Sequence, residues 1–155
     1  MYSHAVAARA PGKQSGALKL VGNILWVVLS GFWLCLGYLI AGLFQCVTLI
    51  GIPFGIQSFK LAGYALWPFG SVVVARTDRD AGLSCLGNAI WFVLSGLWLA
   101  LAHLFTGVLL CITIVGIPFG IASFKLAGLA LAPFGKQVVP AGSLIPPGAK
   151  VVISL

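Results

Sequence analysis

Residues 51–63 read Gly-Ile-Pro-Phe-Gly-Ile-Gln-Ser-Phe-Lys-Leu-Ala-Gly, and residues 116–128 repeat them with one difference, alanine in place of glutamine. The similarity extends outward from this stretch. Residues 23–34 return as residues 88–99, and the offset stays at 65 residues without a gap. An internal repeat of this kind indicates two copies of one structural unit. A residue present at equivalent positions of both copies is therefore expected to have the same structural or functional role in each copy.

The Gly-Ile-Pro-Phe-Gly element predicts a break between two helices in each copy. Proline removes a backbone donor and clashes with the preceding turn, while glycine permits a sharp reversal. We expect a long helix to end near Ile50 and Val115, and a second helix of roughly 18 Å to begin near Gly55 and Gly120. The hinge residues are Gly51, Pro53 and Gly55, repeated as Gly116, Pro118 and Gly120.

The composition is that of a membrane protein. Of 155 residues, 61% are hydrophobic and 7% are charged, and the mean hydropathy is +1.13, whereas ordinary soluble domains carry about 25% charged residues. No charge lies between Leu20 and Phe59 or between Ala81 and Phe124, and each stretch exceeds the ~20 residues that cross a bilayer. The sequence predicts an all-α integral membrane protein of two tandem repeats. Each repeat has a long transmembrane helix and a second, shorter membrane helix after the break.

The predicted organisation is an N-terminal tail (1–19), a first membrane repeat (20–75), a cytoplasmic linker (76–84), a second membrane repeat (85–139) and a Pro-rich C-terminal tail (140–155). Two crossings per copy would make the copies parallel, whereas one crossing would invert them. Basic short loops stay in the cytoplasm, so parallel copies and two cytoplasmic termini are the favoured prediction. This arrangement gathers Arg9, Lys13, Lys19, Arg76, Arg79, Lys136 and Lys150 on one side.

Polar residues recur along one face of each long helix, at about 100° per residue. They are Asn23, Ser30, Tyr38, Gln45 and Thr48, and in the second copy Asn88, Ser95, His103, Thr106 and Thr113. Because such a seam does not face lipid without cost, it faces another helix, another subunit or water. Hydrogen bonding between helices is the favoured interpretation. The alternative is a polar lining for a conduction path.

Lys60 and Lys125 are repeated cations within otherwise apolar second helices. An intramembrane lysine predicts a functional site, whereas a lysine near a helix end can extend its ammonium group to the lipid headgroups. Both interpretations stay open. Tryptophans near the helix ends are predicted to be interface anchors: Trp26, Trp33, Trp67, Trp91 and Trp98.

The sequence does not indicate catalysis, a metal site or a nucleic-acid interface. Its only carboxylate side chains, Asp78 and Asp80, lie in the linker and have no counterpart in the other copy. The four cysteines lack the CxxC spacing of a zinc site. The net charge of +7 comes from short membrane-flanking stretches, where it suits anionic lipid headgroups. We expect no enzyme, no cofactor and no nucleic-acid partner, with membrane lipids as the principal contact.

Both copies share three motifs in order: Asn-x-x-Trp-x-x-x-x-Gly-x-Trp-Leu, Gly-Ile-Pro-Phe-Gly-Ile-x-Ser-Phe-Lys-Leu-Ala, and Pro-Phe-Gly. On these motifs the chain resembles the YccF family of bacterial inner-membrane proteins, over residues 22–74 and 87–139. The resemblance implies two membrane segments per copy and a location in the inner (plasma) membrane. It implies no catalytic or binding residues.

Two functional hypotheses follow. The first is a homo-oligomeric channel or transporter-like module that passes a small ion or solute along the polar seams or the paired lysines. It requires an oligomer, because one protomer has too few helices to enclose a water-filled route. The alternative is a non-conducting membrane scaffold or accessory subunit that binds lipids or a larger membrane partner.

Overall fold

The structure, a computed structural model, describes residues 8–12, 14–76 and 80–155. The first copy consists of helix α1 (Gly16–Cys46), helix α2 (Ile52–Leu66) and strand β1 (Ser71–Ala75). The second consists of α3 (Ala81–Cys111), α4 (Ile117–Leu131) and β2 (Lys136–Pro140), and strand β3 (Lys150–Ser154) follows it. The predicted helical fold with two tandem repeats is confirmed. Of the predicted cytoplasmic residues, Lys13 and Arg79 lie outside the described ranges.

Both long helices have a defined start and one irregular turn. The Ser15 hydroxyl accepts a hydrogen bond from the Leu18 amide, and the Asp80 carboxylate accepts from the first turn of α3, so each helix has an N-cap. Each then contains one π-helical turn, Val27–Gly31 in α1 and Phe92–Gly96 in α3. Such a turn inserts an extra residue and shifts the helix face that follows. Both helices are long and apolar enough to cross a membrane.

The break between the helices of each copy lies earlier than predicted. α1 ends at Cys46, and α2 begins at Ile52 with Pro53 in its first turn. A proline costs little there, because the amide that it lacks would have no partner inside the helix. α2 has 15 residues, or about 22 Å, which is still shorter than a ~30 Å hydrocarbon core. Gly51 makes the reversal possible, because a Cβ atom there would overlap the Gln45 carbonyl group.

Small residues bring the two helices of each hairpin together. A Cβ atom on Gly42 would lie 2.5 Å from the Phe59 ring, and one on Gly55 would overlap the Cys46 sulfur. Gly107 and Gly120 meet the equivalent neighbours, Phe124 and Cys111, in the second copy. The repeated small residues are therefore used for packing inside the protomer.

The two long helices run antiparallel where they meet. Tyr38 of α1 contacts His103 of α3, which is its own repeat counterpart, and Gln45 contacts Ser95. Residue numbers thus rise along α1 as they fall along α3. The prediction that both copies point the same way is wrong for these helices. It was based on loop charge and on two crossings per copy, and two crossings would require both long helices to run the same way through a membrane.

A two-fold axis relates the copies. Aromatic contacts between them are reciprocal: Phe54 packs on Phe134 with ring centroids 5.5 Å apart, and its counterpart Phe119 packs on Phe69 at 5.9 Å. Reciprocal contacts of this kind are the mark of two-fold symmetry. The repeat thus builds an internal pseudo-dimer within one chain.

The chain also forms a three-stranded antiparallel sheet, in the order β2-β1-β3. Val73 pairs with its own counterpart Val138, so the two-fold axis passes between β1 and β2. β3 pairs with the other edge of β1. The all-α prediction lacked this sheet, whose third strand lies within the predicted C-terminal tail (140–155). The pairings that build the sheet join residues more than 60 positions apart and leave no local periodicity.

The sheet separates two hydrophobic clusters. Val73 and Ile153 belong to the main core, together with Leu61 and Leu126 of the second helices. Val72 and Val74 point to the other side, where a smaller cluster includes Ala10, Val139 and Ile145. The Ala10 amide donates to the Ser143 carbonyl. Both described ends of the chain therefore lie in the sheet layer.

The outside of the helical layer is apolar. Trp33 and Phe44 are largely exposed, and Leu49 and Ile114 at the two hairpin tips are 86% and 87% exposed. A continuous apolar surface of this extent exceeds what a soluble monomer presents to water. Such a surface is suited to contact with the hydrocarbon chains of lipids.

Candidate functional site

The polar seam begins with two asparagine clamps. Asn23 Nδ2 donates to the Phe69 carbonyl at 2.8 Å, and the Phe69 amide donates to Asn23 Oδ1 at 3.0 Å. Asn88 binds Phe134 in the same way, at 3.1 and 2.8 Å. The chain leaves its second helix at these points, where backbone groups lack intrahelical partners. Each amide side chain thus replaces the hydrogen bonds that the helix no longer supplies.

Trp26 and Trp91 bind backbone carbonyl groups near the ends of the second helices, where these groups have no partner within the helix. The Trp26 indole Nε1 donates to the Ala65 carbonyl at 2.7 Å, and Trp91 does the same to Ala130. Gly31 makes room for the indole, because a Cβ atom there would lie 2.5 Å from the Trp26 ring. Trp26 and Trp91 are fully buried, so the prediction that they anchor the interface is wrong. Trp33, Trp67 and Trp98 are exposed and remain compatible with it.

A hydrogen-bonded chain occupies the centre, on the two-fold axis. Tyr38 OH lies 3.1 Å from His103 Nε2, and His103 Nδ1 lies 3.4 Å from Ser123 Oγ. Ser123 Oγ in turn donates to the His103 carbonyl at 2.7 Å. Because that hydroxyl already donates, it is left to accept from Nδ1–H, which assigns Nε2 as the acceptor for Tyr38. In the first copy, Ser58 donates to the Tyr38 carbonyl at 2.8 Å.

A second inter-repeat contact lies towards the tip of the first hairpin. Gln45 Nε2 donates to Ser95 Oγ at 2.8 Å. In the described part of the chain, Gln45 Oε1 and the Ser30 hydroxyl are buried without a hydrogen-bond partner. The counterpart of Gln45 is Leu110, so Ser30 lacks the amide that Ser95 receives. This pair is therefore one point at which the two copies differ.

The threonines of the seam stabilise turns. Thr48 Oγ1 donates to the Gln45 carbonyl and accepts from the Gly51 amide at 3.1 Å. Thr113 makes the same contacts with Leu110 and Gly116. Thr106 is half-buried on α3. Apart from Thr106 and Ser30, each predicted seam residue hydrogen-bonds within the protomer, which supports the packing interpretation.

The repeated lysines have different surroundings. Lys125 is exposed, and its Nζ donates to the Ser154 carbonyl of β3 at 3.0 Å. Lys60 is also exposed, and it lines a cavity of about 390 Å³ between α2 and the sheet. Both lysines lie on the sheet side of the helical layer. This position fits the interfacial interpretation of the two lysines.

Sequence reasoning missed the polar side chains that line the cavity together with Lys60. Gln57, Arg76, Lys136 and Gln137 line the same cavity. Arg76 and Lys136 had been grouped only by their expected side of the membrane. Their approach depends on the pairing of Ala75 with Lys136, which no local motif encodes. Among residues 8–12, 14–76 and 80–155, no group of three His, Cys, Asp or Glu side chains is placed to hold a metal ion.

Comparison with known proteins gives the family. A family model described as an inner membrane component domain, YccF, matches residues 21–71 and again residues 86–136. The chain belongs to the YccF family. Inner membrane protein YccF of Escherichia coli (strain K12) is 37% identical over 130 residues, which cover 79% of this chain and 88% of the relative. The Shigella flexneri protein of the same name gives the same values. No solved structure matches.

The residue ranges matched by the YccF family model include some of the contacts described above and leave out others. The asparagine clamps and the buried tryptophans fall inside the two matched ranges. β3, which contacts Lys125, lies beyond the second match. The chain is thus an inner-membrane protein of two YccF copies with two candidate membrane spans.

Proposed function

We propose that this YccF-family chain is a non-conducting structural module of the inner membrane, which binds lipids or a larger membrane partner through its apolar surface. The observation that carries the proposal is the use of the polar seam. Tyr38, His103, Gln45 and Ser95 hydrogen-bond to one another across the two-fold axis. Side chains that line a water-filled path need to face water, and these four are buried between helices.

The channel hypothesis has less support for the same reason. Its remaining candidates are Lys60 and Lys125, and Lys125 is bound to β3. A conducting homo-oligomer would have to build its path from the outer faces of α1 and α3, which carry large apolar side chains. The predicted homo-oligomer fits those faces better as a dry interface. Light scattering of the protein in mild detergent measures its mass and tests the oligomer.

We place the sheet layer at the cytoplasmic surface and the helical layer in the bilayer. Support comes from the distribution of charge: Arg9, Lys60, Lys125, Lys136 and Lys150 lie on or beside the sheet. The hairpin tips carry no charge. In this orientation both described ends of the chain face the cytoplasm. A cysteine introduced at Ser143 should react with an impermeant maleimide from the cytoplasmic side and not from the periplasmic side.

Reconstitution in liposomes tests the absence of conduction. We expect ion flux across proteoliposome membranes, driven by a potassium gradient, to equal that of protein-free liposomes. A proteoliposome sample with added gramicidin shows that the assay detects conduction. Flux above background that disappears when Lys60 and Lys125 are both replaced by methionine would instead establish the lysine-dependent channel.

A further inference from the structure

A groove lies between the two long helices, and it extends from the contact of Tyr38 with His103 towards the tip of the first hairpin. We call it the interhelical groove. Residues of both α1 and α3 line it, among them Gly37, Ala41, Phe44, Gln45, Ser95 and Trp98. Its volume is about 600 Å³, which lies within the ~300–1,000 Å³ range of small-ligand sites. The groove is therefore large enough to hold a small ligand.

The groove opens onto the apolar outer surface of the helical layer. Phe44 and Trp98, which lie at its rim, are 75% and 67% exposed. Among the described residues that line the groove, none carries a charge. Because burial of a charged group in such surroundings is costly, the groove favours a neutral ligand with an apolar body.

Two buried polar side chains lie at the inner side of the groove, and each has one unused hydrogen-bonding group. Gln45 is 8% exposed and Ser95 is 5% exposed. Gln45 Nε2 donates to Ser95 Oγ at 2.8 Å, and Gln45 Oε1 has no donor in the described part of the chain. The Ser95 hydroxyl accepts that bond, and no contact with a described residue uses its own proton. An acceptor and a donor are therefore available close together.

We propose that the interhelical groove binds a neutral lipid that carries a hydroxyl group, such as a diacylglycerol. A hydroxyl group is both a donor and an acceptor, so it complements Gln45 Oε1 and the Ser95 hydroxyl at once. Oε1 is covered by its neighbours, so binding includes a rotation of the Gln45 amide towards the ligand. The hydrocarbon part of the lipid then lies along the apolar walls. This inference deepens the proposed function and rests on it, because it requires the helical layer to be in contact with lipid.

Photolabelling of the full chain, purified in a detergent without hydroxyl groups, tests this site. The probe is hexadecanol with a diazirine on its chain, and the comparison probe is hexadecane with the same diazirine. Mass spectrometry of peptides locates and quantifies the label. We expect the alcohol to label groove residues of α1 and α3 with about tenfold higher apparent affinity than the alkane, because only the alcohol forms the hydrogen bonds. Unlabelled dioleoylglycerol should displace the alcohol.

Three variants assign the preference for the alcohol to the polar pair. Gln45→Leu should abolish the preference, and leucine already occupies the equivalent position of the second copy, Leu110. Gln57→Leu is the matched control, because it makes the same change on α2 outside the groove, and it should retain the preference. Ala41→Leu reduces the space in the groove and should lower labelling by both probes. Gln45→Met gives the same comparison if the leucine variant does not fold.

Equal labelling by the two probes, label located outside the groove, or a preference for the alcohol that survives Gln45→Leu would each overturn the proposal. Ion flux is measured independently. A conducting protein that still prefers the alcohol through Gln45 would contradict the proposed function and leave this site standing. A non-conducting protein without that preference would overturn this site alone.

Discussion

Replacement of Trp26 by phenylalanine isolates one hydrogen bond on which the hairpin depends. Ala65 lies one position before the end of α2, and the amide four positions on, that of Phe69, binds Asn23 instead. The Ala65 carbonyl therefore relies on the Trp26 indole at 2.7 Å. Phenylalanine retains most of the ring and removes the donor. In a site that excludes water, no solvent molecule takes its place.

The expected loss has two parts. A buried carbonyl left without a partner costs about 1–3 kcal/mol, and the smaller ring leaves a void worth about 1 kcal/mol. Trp26→Phe should therefore lower the free energy of unfolding by about 2–4 kcal/mol. For a chain of this length that corresponds to a fall in melting temperature of roughly 5–15 °C. Trp91→Phe should give the same loss, because the contact with Ala130 is identical in length.

Thermal unfolding in detergent, followed by circular dichroism, measures these changes. The control is Trp33→Phe, because Trp33 is 67% exposed and its replacement should change stability by less than about 0.5 kcal/mol. Equal melting temperatures for the Trp26 and Trp33 variants would refute the role of the hydrogen bond. A loss in the Trp26 variant without a similar loss in the Trp91 variant would refute the structural equivalence of the two copies.

Three further predictions concern packing and capping, and the same melting assay measures all of them. Gly55→Ala should destabilise the protein by about 1–3 kcal/mol, because the added Cβ atom would overlap the Cys46 sulfur. Gly63→Ala is the control, because no atom lies within 4 Å of its added Cβ atom. It should be neutral or stabilise α2 by up to about 1 kcal/mol. Gln45→Leu should cost less than about 1 kcal/mol, because it removes an unpaired buried acceptor along with the bond to Ser95. Asp80→Ala should cost about 1 kcal/mol through loss of the α3 N-cap. A neutral Gly55→Ala, a Gln45→Leu loss as large as that of Trp26→Phe, or an unchanged Asp80→Ala would each contradict the corresponding contact.

The features that could be predicted from the sequence are those with local causes. The constant offset of 65 residues between the copies predicted the tandem repeat. The uncharged stretches predicted the two long helices. The Pro-Gly element gave the turn, with an error of a few residues because Pro53 fits the first turn of a helix as well as it breaks one. The packing interpretation of the polar seam also had a local cause, because an internal partner is the common solution for polar groups in a membrane helix, and the contacts of Tyr38 and Gln45 support it.

The features that could not be predicted depend on long-range pairing. A tryptophan near a helix end is typical of an interface anchor, and nothing in the local sequence of Trp26 distinguishes it from Trp33. The distinction arises from the π-helical turn and from Gly31, which turn the indole of Trp26 inward onto Ala65. The cavity between α2 and the sheet likewise exists only because β2 pairs with β1, which brings Lys136 and Lys60 to the same cavity.

The direction of the copies was mispredicted for a related reason. Loop charge reports the side of the membrane on which a loop lies, and it does not report how two hairpins face each other. Antiparallel pairing of Val73 with its counterpart Val138 sets the two-fold axis perpendicular to the strands. Because a two-fold axis relates antiparallel helices only when they lie across it, the same axis runs perpendicular to the long helices. Several basic residues nonetheless lie on or beside the one sheet, although the long helices oppose each other: Arg9, Lys60, Lys125, Lys136 and Lys150.

Fusion of the two copies into one chain allows differences that a symmetric dimer excludes. In a dimer of single repeats, a residue on the axis meets an identical residue. Here Tyr38 meets His103, and a hydroxyl donor faces a ring nitrogen that can accept. The same freedom applies at the sheet, where one β3 strand covers Lys125 and leaves Lys60 open. Duplication within one chain thus allows equivalent residues to take different partners, which identical subunits related by an exact two-fold axis cannot do.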